Sequence, residues 1–148
     1  MKLSWTSLKI SIAGAKLSHL VQKDKIWDHG SMTEQARIIF YLVQKAKANG
    51  NIESLKKQCS VSWFEKLKYE MTESGMDIKT DNPIITEIAI IDVQPGKKNE
   101  PDMFCALIRG YLKEGQNHGF KNDYYKKFMA KWFFIRQGDW WVLNEIKT

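Results

Sequence analysis

Apolar residues recur at helical spacing through the first half of this chain and in short β-branched or aromatic runs through the second, and the switch falls between Gly75 and Ile84. Ser31, followed three residues later by Glu34, reads as a capping box in which each residue satisfies a backbone N–H that the first helical turn leaves free. Ala36, Ile39, Phe40, Val43 and Ala46 then line one helix face as far as Asn49-Gly50, a helix stop. Residues 51–58, with Ile52 and Leu55 inward, predict a short second helix. Residues 60–74 predict a third, carrying Trp63, Phe64, Leu67 and Met71 and ended by Ser74-Gly75. Residues 84–93, 103–112, 127–136 and 140–146 read as strands. Pro95-Gly96 closes the first, Gln137-Gly138-Asp139 makes a short hairpin connection between the last two, and the longer connection over 115–124 is expected to have a mobile tip. Helices followed by strands predict an α+β domain, with about three N-terminal helices packed on one face of a curved four-stranded antiparallel sheet.

A chain of 148 residues suits one domain, and at that size roughly 68–70% of the unfolded surface is buried without a metal or disulfide staple. Cys59 and Cys105 lie far apart in different predicted elements, so both are read as reduced and buried. The balance of 23 Lys and Arg against 17 Asp and Glu gives a net charge of +6 and a pI near 9.2. That favours anionic partners without dictating a fold. No run approaches the roughly 20 apolar residues of a membrane-spanning helix. Ser4, Thr6, Ser7, Lys9 and Ser11 interrupt the N-terminus too often for a secretory signal. A cytoplasmic protein, peripheral to a membrane at most, is expected. The first 23 residues do lack any acid, as organelle transit peptides do, but the pattern continues into a folded domain.

Residues 1–30 are read as a basic segment ahead of the domain at 31–148. Lys2-Leu3-Ser4, Lys9-Ile10-Ser11 and Lys16-Leu17-Ser18 recur every seven residues, and Lys23 continues the series. As a helix, Leu3, Ile10, Ala13, Leu17 and Leu20 form a lysine-flanked apolar stripe of the kind that lies on membranes or partners. As a strand, Leu8, Ile10 and Ile12 alternate with Lys9 and Ser11 until Ala13-Gly14. The extended reading is preferred over 7–12. Lys2, Lys9, Lys16 and Lys23 are the candidate contacts to anionic lipid.

No phosphate-cradling glycine loop, metal-ligand cluster or nucleophile elbow stands in the sequence, and neither metal nor cofactor is expected. His19, His29 and His118 fall at a terminus or in loops and are read as surface residues. In a regular strand Asp92 shares a face with Ile88 and Ile90, and Glu87 lies opposite. Phe128, Trp132 and Phe134 share one face of their strand while Met129, Phe133 and Ile135 take the other, so both faces bury apolar surface. Such a strand is central, is covered on its second face by a helix or the N-terminal segment, or meets a partner there. Lys126, Lys127, Lys131 and Arg136 interleave with Tyr124, Tyr125 and Trp132 as in a nucleic-acid stacking platform. Lys131 points away from Trp132, however, and nucleic acid is not the expected partner.

The stretch from Lys131 to Ile146 resembles the last hairpin of the Tim-forty-four-like domain family. There a Trp-x-Phe-x-Arg strand, here Trp132, Phe134 and Arg136, runs through a glycine turn, here Gly138, into a Trp-x-Leu-x-x-Ile strand, here Trp141, Leu143 and Ile146. Upstream, Phe40 and Gln44 followed by Asn51, Leu55, Cys59 and Leu67 resemble the family's opening helices, so the likeness covers residues 31–148. It implies the cone-shaped fold of the nuclear transport factor two-like superfamily. It also implies a binding or scaffold role at membranes, with affinity for acidic lipids in helices before the cone. We therefore expect a noncatalytic domain engaging a protein or anionic lipid surface, with a homodimer through the sheet as one mode. The alternative is an isomerase- or dehydratase-type cone, its pocket lined by Phe40, Trp63, Tyr69, Phe104, Trp132 and Phe134 and given polar function by Asp92 and Tyr111.

Overall fold

The computed structural model describes residues 4–73, 83–114 and 124–148. Lys2, Leu3, the Ser74-Gly75 stop, the 115–123 connection and His118 lie outside these residues, as does the side chain of Met71. Three α-helices, α1 (Trp5–Leu20), α2 (His29–Asn49) and α3 (Val61–Glu73), precede four strands, β1 (Pro83–Gln94), β2 (Met103–Glu114), β3 (Tyr124–Gln137) and β4 (Trp140–Lys147). The strands form one antiparallel sheet in sequence order, and the fold is α+β as expected.

The first departure is α1. Residues 7–12 are helical and not extended, because Ser4 caps a sixteen-residue helix, its Oγ accepting the Ser7 N–H at 3.0 Å. Ile10, Ala13 and Leu17 then fall on one side, against the sheet and the core. The short alternation of Leu8, Ile10 and Ile12 loses to this longer helical period, and Leu8 and Ile12 are left exposed. Segment 1–30 therefore contributes α1, which packs against β1.

Between α1 and α2 the chain makes a 3-10 turn, Lys25–Trp27, that buries Trp27 edge-on against Trp141, with ring centroids 5.1 Å apart. The helix α2 starts two residues before the expected capping box. Its cap is Asp28, whose Oδ2 accepts the Ser31 N–H at 2.9 Å. Ser31 thus donates from its backbone where its side chain was expected to cap, and Glu34 turns to Arg37 at 3.6 Å. The buried face of α2 is the predicted one, extended by Met32, and Gly50 ends the helix in the left-handed region at φ 70°. The expected second helix is only a 3-10 turn, Ile52–Leu55. The chain beyond it is recruited by the sheet instead: Leu143 donates to the Gln58 carbonyl at 2.8 Å and Ser60 donates to the Leu143 carbonyl at 2.8 Å. This parallel bridge covers part of the edge of β4.

All four predicted strands form, each slightly longer than its pattern. Three register shifts interrupt the ladders, at Ile85/Glu87, Ile90/Asp92 and Phe133/Phe134. Each bulge adds one residue and so exchanges the two faces beyond it. On the inner face Phe104 stacks on Phe134 at 4.8 Å, Trp141 meets Phe104 edge-on at 4.8 Å, and Trp132 tilts against Phe40 of α2 at 5.1 Å. A smaller cluster on the outer face joins Ala89, Ile91, Cys105 and Leu107 to Phe133 and to Ile10 of α1. The two-sided burial expected of β3 is met only in part: Phe133 packs on this cluster with Ile10 of the N-terminal helix, whereas Met129, expected on the same buried face, is 59% exposed.

Arg136 joins three parts of the chain. Its Nη1 donates to Asp24 Oδ2 at 2.6 Å and Asp102 Oδ2 at 3.2 Å, and its Nε donates to the Gly138 carbonyl at 2.8 Å. The guanidinium, followed by the Ile26 N–H, holds the Asp24 carboxyl below its ordinary value. The Ser31 N–H does the same for Asp28. A carboxyl depressed in the folded state contributes stability at neutral pH that is lost as pH falls through its folded value. The thermal midpoint is expected to drop on acidification below about pH 4, and Arg136→Met to make that acid limb shallower. An unchanged limb would show that the clamp is not coupled to folding.

Candidate functional site

The bulge at Ile91 decides where the candidate polar residues lie. Ile90 pairs with Ala106 on the inner face, but Asp92 pairs with Cys105 on the outer face and Val93 returns inward opposite Phe104. Asp92 is thus moved off the Ile88/Ile90 face on which a regular strand would place it. The earlier bulge at Thr86 leaves Glu87 paired with Arg109, also on the outer face, at 3.5 Å. The two carboxylates share a face after all, but five residues along one strand keep them on the order of 15 Å apart. Tyr111 is likewise outer, beside Thr86, Arg109 and Lys127, in a separate shallow groove of about 410 Å³.

Among the described residues the expected aromatic pocket is not seen, and none of its six lining residues borders a described groove. Phe40 meets Trp132 and Phe104 meets Phe134 ring to ring, and all four are buried in the core cluster. Trp63 is buried in the same cluster, held by α3. Tyr69 points to solvent, 67% exposed, because it follows Leu67 by two positions on a helix whose buried face carries Trp63, Phe64 and Leu67. The polar pair is absent from this core as well.

A groove does open on the other side of the sheet, under α1. Lys9, Ile12, Ala13 and Lys16 form its helical wall, and Ile91, Asp92, Cys105, Lys131 and Phe133 form its floor and far wall, enclosing about 410 Å³. Residues from two separate expectations, Lys9 and Lys16 from one and Asp92 from the other, meet here. Lys23 lies in the turn after α1, exposed and outside this group. Burial first of all pushes the Cys105 thiol up to about 12, and Lys131, Lys9 and Lys147 offset this only in part, so the floor presents a neutral S–H. Lys147 lies with Nζ 5.2 Å from the centre of the Phe133 ring. The parity of β3, which turns Lys131 away from Trp132, already pointed Lys131 to this face. Membership of Lys131, Phe133 and Cys105 in a single groove needed the register.

Beside the groove α1 carries a second feature. Trp5, Leu8 and Ile12, spaced three and four residues apart, form an outward apolar stripe that is 70%, 40% and 50% exposed. Lys9 lies against it, Nζ 5.7 Å from the Trp5 ring centre, and Lys16 continues the same side of the helix. Among the described residues no helix is long and apolar enough to cross a membrane. No three His, Cys, Asp or Glu side chains among them converge as metal ligands would.

Three helices on a four-stranded antiparallel meander, with a cationic groove behind the sheet, define an α+β domain consistent with a nuclear transport factor two-like cone. No protein-family model matches the chain, and no curated protein matches it in sequence. A solved structure to which it is similar is the intermembrane space region of the chloroplast protein ARC6. The alignment covers 78% of this chain and 94% of that one, at 11% identity and a TM-score of 0.46.

Proposed function

We propose that this chain is a noncatalytic binding domain that rests on an anionic membrane surface through α1, the role that its resemblance to Tim-forty-four-like domains implies. The observation that carries the reading is the exposed stripe of Trp5, Leu8 and Ile12 beside Lys9 and Lys16. Apolar side chains entering the headgroup boundary contribute by burial, while each lysine near an anionic leaflet adds about 1 kcal/mol. The helix has no Asp or Glu to oppose that attraction.

Co-sedimentation with neutral and anionic vesicles at low and high salt tests this reading. Binding to anionic vesicles, weakened by salt, is the expected outcome. The double variant Trp5→Ser/Leu8→Ser is expected to lower the partition coefficient at least roughly tenfold, since each buried large side chain is worth about 1.5–3 kcal/mol. Failure of the intact chain to bind anionic vesicles would sink the membrane reading and turn the search to a protein partner.

A further inference from the structure

We infer that the groove between α1 and the outer sheet face is a binding site for a single-chain anionic amphiphile, most simply a long-chain carboxylate. Its floor is apolar, made by Ile91, Cys105 and Phe133, while Lys9, Lys16 and Lys131 stand around it. One acid, Asp92, lies among these three cations, its Oδ1 accepting the Val93 N–H at 3.0 Å and its Oδ2 the Gln94 side-chain amide at 2.9 Å, so the lining keeps an excess of positive charge. The remaining field draws an anionic head, and the floor takes a hydrocarbon tail. A volume of about 410 Å³ falls within the range typical of small-molecule sites.

The geometry disfavours a peptide. Cys105 and Phe133 of its floor belong to β2 and β3, interior strands whose backbone groups are spent on their neighbours, so an added strand finds nothing to pair with across the floor, and only Ile91, Asp92 and Val93 at its β1 side belong to an edge strand. A hydrocarbon chain needs no such partners. The free anion alone would leave the apolar floor unused. This inference goes beyond the membrane reading and shares Lys9, Ile12 and Lys16 with it, but the two are separable because Trp5 and Leu8 do not line the groove.

The test titrates the intact chain with dodecanoate and with dodecanol, each below its aggregation threshold, by calorimetry and by amide chemical shifts. Dodecanoate is expected to bind saturably at one site, shifting Ile91, Cys105 and Phe133, and dodecanol to bind roughly tenfold more weakly or less. Lys131→Glu, a change at an exposed position, is expected to weaken dodecanoate by roughly tenfold while the melting curve stays in place. Lys131→Gln serves the same purpose should the charge reversal disturb folding. Trp5→Ser/Leu8→Ser is expected to leave dodecanoate binding unchanged, whatever it does to vesicle binding. Absence of saturable binding, equal binding of acid and alcohol, shifts confined to residues outside the groove, or loss of dodecanoate binding in Trp5→Ser/Leu8→Ser would each overturn the inference. Loss of vesicle binding alone would count only against the membrane reading.

Discussion

Phe134→Ala is expected to lower the free energy of unfolding by about 3–5 kcal/mol. The ring is wholly buried and stacks on Phe104 at 4.8 Å, while Phe104 in turn meets Trp141 at 4.8 Å. Removing Phe134 therefore leaves a cavity walled by large aromatic groups that collapse poorly. Against the usual total of about 5–15 kcal/mol for a domain, that loss brings the fold close to its limit. Met129 belongs to the same strand but is 59% exposed on its other face, and Met129→Ala is expected to stay within about 0.5 kcal/mol. Urea unfolding of the two variants checks the face assignment directly, and comparable losses from both would refute it.

Gly110→Ala is expected to cost about 3 kcal/mol although it adds one methyl group. Gly110 pairs with Ile85 beside the Thr86 bulge, where β1 crowds onto β2. A Cβ at this position would overlap the Ile84 carbonyl oxygen and lie 2.9 Å from the Ile84 carbonyl carbon and from Phe128 Cε1. Backbone has no rotamer with which to move aside, so the strands themselves must separate. Gly138 provides the contrast: its φ of +68° favours glycine, but nothing lies within 4 Å of a Cβ there. Gly138→Ala is expected to cost only about 1–2 kcal/mol, through backbone conformation alone. Equal losses at the two positions by thermal or urea unfolding would argue against a close approach at Gly110.

The two faces of the sheet divide structure from proposed function. The inner face buries aromatic rings that pack on one another in the core. The outer face is covered by α1 along β1, and the cationic groove lies at the border of that cover. A site in such a place can vary in its lysines without disturbing the core, because Lys131 and Lys16 are exposed.

Helix α2 and the four strands were legible in the amino-acid order, since a helical period sustained from Ala36 to Ala46 and β-branched runs broken by Gly and Pro are local signals. The alternation in β3 likewise separated Trp132 and Phe134 from Phe133 correctly. Local reading failed where two local patterns competed or where one extra residue mattered. Over 7–12 a strand pattern lay inside a helical one, and the contacts of Ala13 and Leu17 with the rest of the fold decided between them. At residue 91 a bulge reversed the side on which Asp92 emerges, and no composition rule marks that residue as the extra one. The sequence by itself determined α2 with its buried face, α3 and the four strands, because side-chain period is a property of neighbouring residues. Only the tertiary structure brought Lys9 and Lys16 of α1 to Cys105 of β2 and Lys131 and Phe133 of β3, because that meeting depends on strand register and on which side of the sheet a distant helix packs.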